Sequence, residues 1–278
     1  MISTLPLGVC TWTFGNRELG EVARRVASLG FDGLELTGDL EGPSGTETAQ
    51  VLADHGLKVF SLTPDNVDLA HPDAAVRSEA SDYYLRLLDL AAELGGPLVS
   101  CHGYVGRVRP ISTMAEERAL FISTVRSIAE RAHGLNLRLA MEALNRYESH
   151  LLNTAVDALE FVAELGKNGD IDNVGILLDA FHMNIEEAGP AEAISHAGKH
   201  LVLYHAADSN RQGIGRGHTD FDMQLTALAE IGYGGPIIVE CTAPGPDPFT
   251  AIKGDDSLDW LEAFLQESRA WLLERWRD

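Results

Sequence analysis

Eight short apolar or β-branched runs alternate with longer stretches of helical periodicity along the whole chain, and this alternation restricts the fold more than any other feature. The runs are Leu7–Thr11, Gly33–Thr37, Lys58–Leu62, Leu98–His102, Leu137–Glu142, Val174–Asp179, Leu201–His205 and Pro236–Glu240. Each is nearly continuous in apolar character, as expected of parallel strands covered on both faces. Between them lie amphipathic segments such as Leu19–Leu29, Ala74–Leu94, Ala115–Ala132 and Thr154–Leu165. In the last of these, apolar residues recur three and four apart. Gly30, Gly56, Gly95, Gly134 and Gly232 follow helical patterns closely, where they would cap the helix before the next strand. Eight strand–helix units in series predict an α/β fold, a closed parallel (β/α)8 barrel, with a doubly wound open sheet as the alternative. The 278 residues suit such a barrel, which takes roughly 250. No linker, charge block or low-complexity segment divides the chain, so residues 1–278 read as a single domain.

Charge and cysteine content narrow the partners. The chain carries 21 Lys+Arg against 42 Asp+Glu, a formal net charge of −21. That field repels nucleic acid, whose binding depends on clustered basic residues. No apolar run approaches the roughly 20 residues needed to cross a bilayer. The first residues show no basic segment ahead of an apolar one, so no signal peptide is expected. Cys10, Cys101 and Cys241 are too few and too scattered for a disulfide framework, and a cytoplasmic location fits best.

The strand ends carry the chemistry. The fifth run ends in Glu142, the sixth in Asp179 with His182 just beyond, the seventh in His205 and the eighth in Glu240. In a barrel of this kind the C-terminal strand ends meet at one mouth, where the active site lies. Each residue alone has an ordinary reading as a solvated carboxylate or a hydrogen-bonded core histidine. Together they put three carboxylates and one imidazole in one volume, and crowded carboxylates repel unless a cation is present. A divalent metal held by Glu142, Asp179, His205 and Glu240 is the simple resolution. An oxygen-rich set without thiolate favours Mn²⁺, with Mg²⁺ or Co²⁺ as alternatives, over a structural zinc. His102, at the fourth strand end, would donate to a substrate hydroxyl or satisfy a loop carbonyl.

At these residues the sequence resembles the xylose-isomerase-like TIM barrel superfamily, and within it the ketose 3-epimerases of the tagatose/psicose group. Three segments carry the resemblance: MEALNRYESHLLNT at 141–154, LLDAFHMNIEE at 177–187 and YHAADSNRQGIGRGHTDFD at 204–222, completed by Glu240 in IIVEC. It implies metal ligation by the same four residues, and contact of Glu148, His182 and Arg211 with the carbonyl-end oxygens of a sugar. It also implies that Glu142 and Glu240 are the acid and base on opposite faces of an enediolate formed at C3 of a ketose. The chain departs from the family at Ala207 and Asp208, where Gly and Glu are usual.

The expected function is therefore a divalent-metal-dependent epimerase acting on a free, non-phosphorylated ketose. Acids and prolines after the eighth strand argue against a phosphate site there. Rival readings are an aldose–ketose isomerase of the hydroxypyruvate isomerase type and a metal-dependent lyase on oxidised sugars or C-glycosides. A DNA-repair nuclease is opposed by the net charge. Trp260, Phe264, Trp271, Leu272 and Trp276 recur at helical spacing near the C-terminus. They would pack on the barrel or form a subunit interface, the latter giving a homo-oligomer.

Overall fold

The computed structural model describes residues 5–168, 171–245, 248–250 and 252–276. Eight parallel strands close in sequence order: β1 (Leu7–Cys10), β2 (Gly33–Thr37), β3 (Lys58–Thr63), β4 (Leu98–Cys101), β5 (Leu139–Glu142), β6 (Val174–Asp179), β7 (Leu201–Ala206) and β8 (Ile237–Val239). The ring is completed by β8 pairing with β1. This is the closed barrel expected from the alternating pattern, with strand bounds moved by one or two residues. The open-sheet alternative is excluded.

The helices are α1 (Leu19–Ser28), α2 (Gly45–Asp54), α3 (Ala74–Glu93), α4 (Met114–Gly134), α5 (Ala155–Leu165), α6 (Ala180–Glu186), α7 (Pro190–Ala197), α8 (Phe221–Glu230) and α9 (Asp255–Arg275). Side chains start several of them. Ser44 with Glu47, and Thr154 with Asp157, form reciprocal capping boxes, satisfying amides that a helix start leaves open. Gly30, Gly56, Gly95 and Gly232 take the left-handed conformation after their helices. Gly134 does not. It is the last residue of α4, and Asn136 turns the chain with φ 56, since Asn tolerates that region better than most residues.

Two shells of apolar packing follow from the period of two in a strand. Outward residues such as Leu34, Leu62, Val99, Leu139 and Ile176 join the helices in the main core. Inward residues fill the barrel, where Cys10, Ala140, Leu177, Leu203 and Ile238 form a second cluster against Phe60. The same inward parity runs upward from Gly33 to Glu35, Ala140 to Glu142, Leu177 to Asp179, Leu203 to His205 and Ile238 to Glu240. Apolar residues thus close the floor and ionisable ones reach the mouth.

On α9, Phe264 and Leu272 are fully buried and Trp271 and Trp276 pack against the core, while Trp260 is 47% exposed. Among the described residues no helix is long and apolar enough to cross a membrane. All three cysteines are buried and free.

Floor packing explains two glycines. A Cβ at Gly33 would lie 2.6 Å from the Lys58 carbonyl oxygen, which is backbone, whereas the nearest atoms at Gly8 are side-chain atoms, Ile238 Cδ1 and the Phe60 ring. Gly33→Ala is expected to lower unfolding free energy by about 1–3 kcal/mol, and Gly8→Ala by less. Urea denaturation of the two variants checks this order; equal costs would contradict it.

Candidate metal centre and active site

His205 is the hub. From β7 its Nδ1 lies 4.0 Å from Glu142 Oε1, 4.0 Å from Asp179 Oδ2 and 3.8 Å from Glu240 Oε1. The four residues named from the sequence are therefore brought together, all buried. His205 Nδ1 and Asp179 Oδ2 are buried atoms with no hydrogen-bond partner, and Glu240 Oε2 has only the Arg211 guanidinium 3.1 Å away. Buried polar atoms are rarely left so, and atoms of this donor chemistry aimed at one volume fit a divalent cation.

For His205 and Asp179 the far side is occupied, which decides the near side. His205 Nε2 is 3.1 Å from Glu35 Oε2, and Glu35 also accepts from Ser61 Oγ at 2.6 Å. With Nε2–H donating to Glu35, the Nδ1 lone pair is left for a metal, the carboxylate–histidine arrangement common behind metal ligands. Asp179 divides its oxygens: Oδ1 accepts from the Phe181 amide at 2.6 Å and starts α6, so Oδ2 faces the hub. Glu240 Oε1 accepts from the Trp12 indole N–H at 3.1 Å. Arg211 Nη2 lies 3.1 Å from Glu240 Oε2 and 3.7 Å from Asp179 Oδ2.

Glu35 is not among the residues named from the sequence. It sits two residues before the end of β2 rather than at the strand end, so attention to strand termini passes over it. The available signal is a carboxylate inside the otherwise apolar run GLELT. Ligand-capable atoms also gather into two triads, Glu35–His205–Glu240 and Glu142–Asp179–His182. The hydrogen bonds disfavour His182 as a ligand and commit one oxygen of Glu35: Oε2 serves His205 and Ser61, while Oε1 is buried without a hydrogen-bond partner. His182 Nδ1 accepts from Asn145 Nδ2 at 2.8 Å, so its proton is on Nε2, 3.9 Å from both Glu142 and Asp179. A protonated nitrogen donates; it does not ligate.

The remaining residues named from the sequence line the mouth. Asn145 Nδ2 donates its second hydrogen to Glu148 Oε1 at 2.8 Å, tying Glu148 and His182 to one amide. Glu148, Phe181 and Arg211 border a cavity of about 410 Å³. Arg211 has φ 53, an unfavourable region for a non-glycine residue that needs outside support. Its amide donates to the Asp208 carbonyl at 2.7 Å, its carbonyl accepts from the Thr242 amide at 2.6 Å, and its guanidinium lies 4.4 Å from the Phe181 ring centroid. Asp208, the departure noted in the sequence, organises this loop. Its carboxylate accepts from the amides of Ser209, Gly215, Gly217 and Thr219. His102 is buried, with Nδ1 2.8 Å from the Gly103 carbonyl. Arg146 is ion-paired to Glu186 and Arg216 to Glu267, so neither is a spare cation for a phosphate.

Burial and charge push the ionisations apart. Burial raises Glu142 to about 8 despite the opposing charge of His205. Burial and the Glu240 charge raise Asp179 to about 7. Burial pushes Glu240 up as well, but Arg211 and His205 outweigh it and hold the group below the usual carboxylate value. Burial opposes charge on His205, yet Glu35 and the neighbouring acids raise it to about 10. For His182 burial and Arg211 act together, lowering it to about 3 and keeping it neutral.

Comparison with known proteins places the chain in a family. A family model described as xylose isomerase-like TIM barrel matches residues 23–267. The chain is 34% identical over 236 residues to D-psicose 3-epimerase of Agrobacterium fabrum, covering 80% of this chain and 79% of that protein. It is 27% identical over 271 residues to 3-dehydro-D-guloside 4-epimerase of Escherichia coli, covering 92% and 99%. A crystal structure of D-psicose 3-epimerase in the presence of D-fructose superposes with a TM-score of 0.86 at 26% identity, over 98% of this chain and 99% of that one.

Two outcomes follow. Glu35→Gln removes the charge that fixes the His205 tautomer, and should weaken Mn²⁺ binding by about 10–100-fold in calorimetric titration; unchanged affinity would show that Glu35 does not act on the ligand. The second concerns pH. In the metal-free fold Glu142 and Asp179 bind protons more tightly than in the unfolded chain, so their contribution is full below the ordinary carboxylate range. It is lost as pH rises through about 7 to 8. Thermal unfolding without metal should therefore move to lower temperature between pH 5 and pH 8, and saturating Mn²⁺ should remove most of the decline. A metal-free midpoint that rises across this range would contradict the assignment.

Proposed function

Because the chain belongs to the xylose isomerase-like TIM barrel family, we propose that it is a divalent-metal-dependent sugar epimerase inverting C3 of a free ketose. The observation that carries this reading is the pairing of Glu142 and Glu240 about His205, one carboxyl raised and the other lowered. Epimerisation needs one group ready to take a proton and another ready to give one, and environments that push two pKa values apart provide both. Glu240, kept ionised by Arg211, is the base for removal of the C3 hydrogen as a proton. Glu142, on the other side of His205, would carry the proton returned to the opposite face of the planar enediolate, and the roles reverse in the other direction.

Glu142, Asp179, His205 and Glu240 would hold the metal, for which Mn²⁺ suits the oxygen-rich set best. When bound, the cation supplies Lewis-acid stabilisation of charge on the substrate oxygens. Arg211 and the His182 Nε2–H donate to the oxygen where negative charge develops, and Glu148 accepts from the neighbouring hydroxyl. Substrate, metal and the cytoplasmic setting all belong to this proposal. A second reading, inversion of the carbon beside the ketone of a keto-glycoside, has one observation in its favour. A larger cavity of about 590 Å³ adjoins the metal centre at Trp12, outside the space bordered by Glu148 and Arg211.

The test is incorporation of solvent deuterium at C3 across a panel of free ketoses with Mn²⁺. Glu142→Gln and Glu240→Gln should each slow exchange by about 10²–10⁴-fold. Exchange persisting at the parental rate in both variants would overturn the acid/base assignment.

A further inference from the structure

The cavity beside Trp12 is larger than the one bordered by Glu148 and Arg211, and inversion of C3 in a free ketose leaves it unused. It encloses about 590 Å³ next to β1 and β2, within the range of roughly 300–1,000 Å³ typical of small-molecule sites. Trp12 is the wall it shares with the metal centre, since the same indole donates to Glu240. Phe249 stacks on Trp12 with ring centroids 5.4 Å apart and borders both cavities. The two spaces therefore meet at one aromatic pair, beside a carboxylate assigned to proton transfer.

Its lining is two-sided. The rim is polar, with Asn16, Thr37 and Asp39, whereas the floor, in the layer between the barrel and α3, is formed by Leu36, Leu62 and Leu90. A free ketose carries a hydroxyl on nearly every carbon, and a hydroxyl pressed against leucine loses its water without gaining a partner. Such a floor therefore gains nothing from more sugar. A flat apolar group does gain, by leaving water against leucine and stacking on Trp12 and Phe249. We propose that this cavity is a subsite for an apolar, aryl-sized substituent on the sugar, so that the substrate class extends to keto-sugar glycosides with an aromatic aglycone. The proposal rests on the reading of the metal centre as an epimerase site, which fixes where the sugar ring lies.

Two glycosides without a ketone, phenyl β-D-glucoside and methyl β-D-glucoside, test the subsite apart from turnover. Titrated calorimetrically into the Mn²⁺-loaded protein, the phenyl glycoside should bind at least about tenfold more tightly than the methyl one. Thr37→Trp at the end of β2 and Asn16→Trp in the loop after β1 plug the rim at exposed positions, and each should bring the ratio of the two dissociation constants close to one. Equal affinities in the parent protein, or a phenyl preference that survives both plugs, would overturn the subsite. Phenyl 3-dehydro-β-D-glucoside then shows whether binding is productive. Its hydrogens beside the ketone should exchange with solvent deuterium at a lower KM than those of the methyl analogue, and equal KM values would count against the substrate class. Failure of the epimerase reading is separately visible, as absence of exchange in every free ketose and keto-glycoside while the phenyl-to-methyl binding ratio stands.

Discussion

Glu35, Glu142, Asp179 and Glu240 are all nearly inaccessible to water at the mouth of one barrel, and the structure must offset the repulsion among them. Unpaired charges so placed cost several kcal/mol each. Three devices act together against that cost. Arg211 lies against Glu240 and Asp179, His205 bridges Glu35 to the cluster, and the raised pKa of Glu142 lets a proton neutralise it. A divalent cation held by the proposed ligands would complete the balance, since His205 Nδ1 and Asp179 Oδ2 are left without hydrogen-bond partners. The left-handed backbone of Arg211, the Asp208 loop and the Phe181 ring follow from the same need, because each holds the guanidinium where the charge balance requires it.

This arrangement would divide the labour of the proposed ligands. Asp179 is fixed by its bond to the start of α6 and His205 by Glu35, which suits anchors. Glu240 is fixed through Trp12 and Arg211, which lower its proton affinity, while Glu142 has no comparable cationic partner and keeps a raised one. In the metal-free fold the two carboxylates thus differ in proton affinity through their surroundings alone.

Much of this is legible in the sequence, for particular reasons. Barrel closure places consecutive strand ends around one ring, so Glu142, Asp179, His205 and Glu240 can be grouped from position alone. Glu35 cannot, because its role depends on the β2 register and on which nitrogen of a histidine 170 residues away faces it. The tautomer of His182 is hidden for a similar reason, being set by Asn145 in a different loop. Gly134 reads as a cap because glycine usually takes the left-handed turn, yet Asn136 supplies it two residues later. Asp208 stands out in the sequence only as a substitution, and its four amide contacts arise from a loop that closes on itself, which no local pattern announces.

The central claim is a single metal centre with one imidazole ligand, His205, while His182 stands beside it as a proton-bearing donor. Pulsed electron paramagnetic resonance of the Mn²⁺-loaded protein reads the number of coupled nitrogens directly. One histidine nitrogen, lost in His205→Ala and retained in His182→Ala, is the predicted result. Two coupled nitrogens, or a coupling that disappears on replacing His182, would contradict the account.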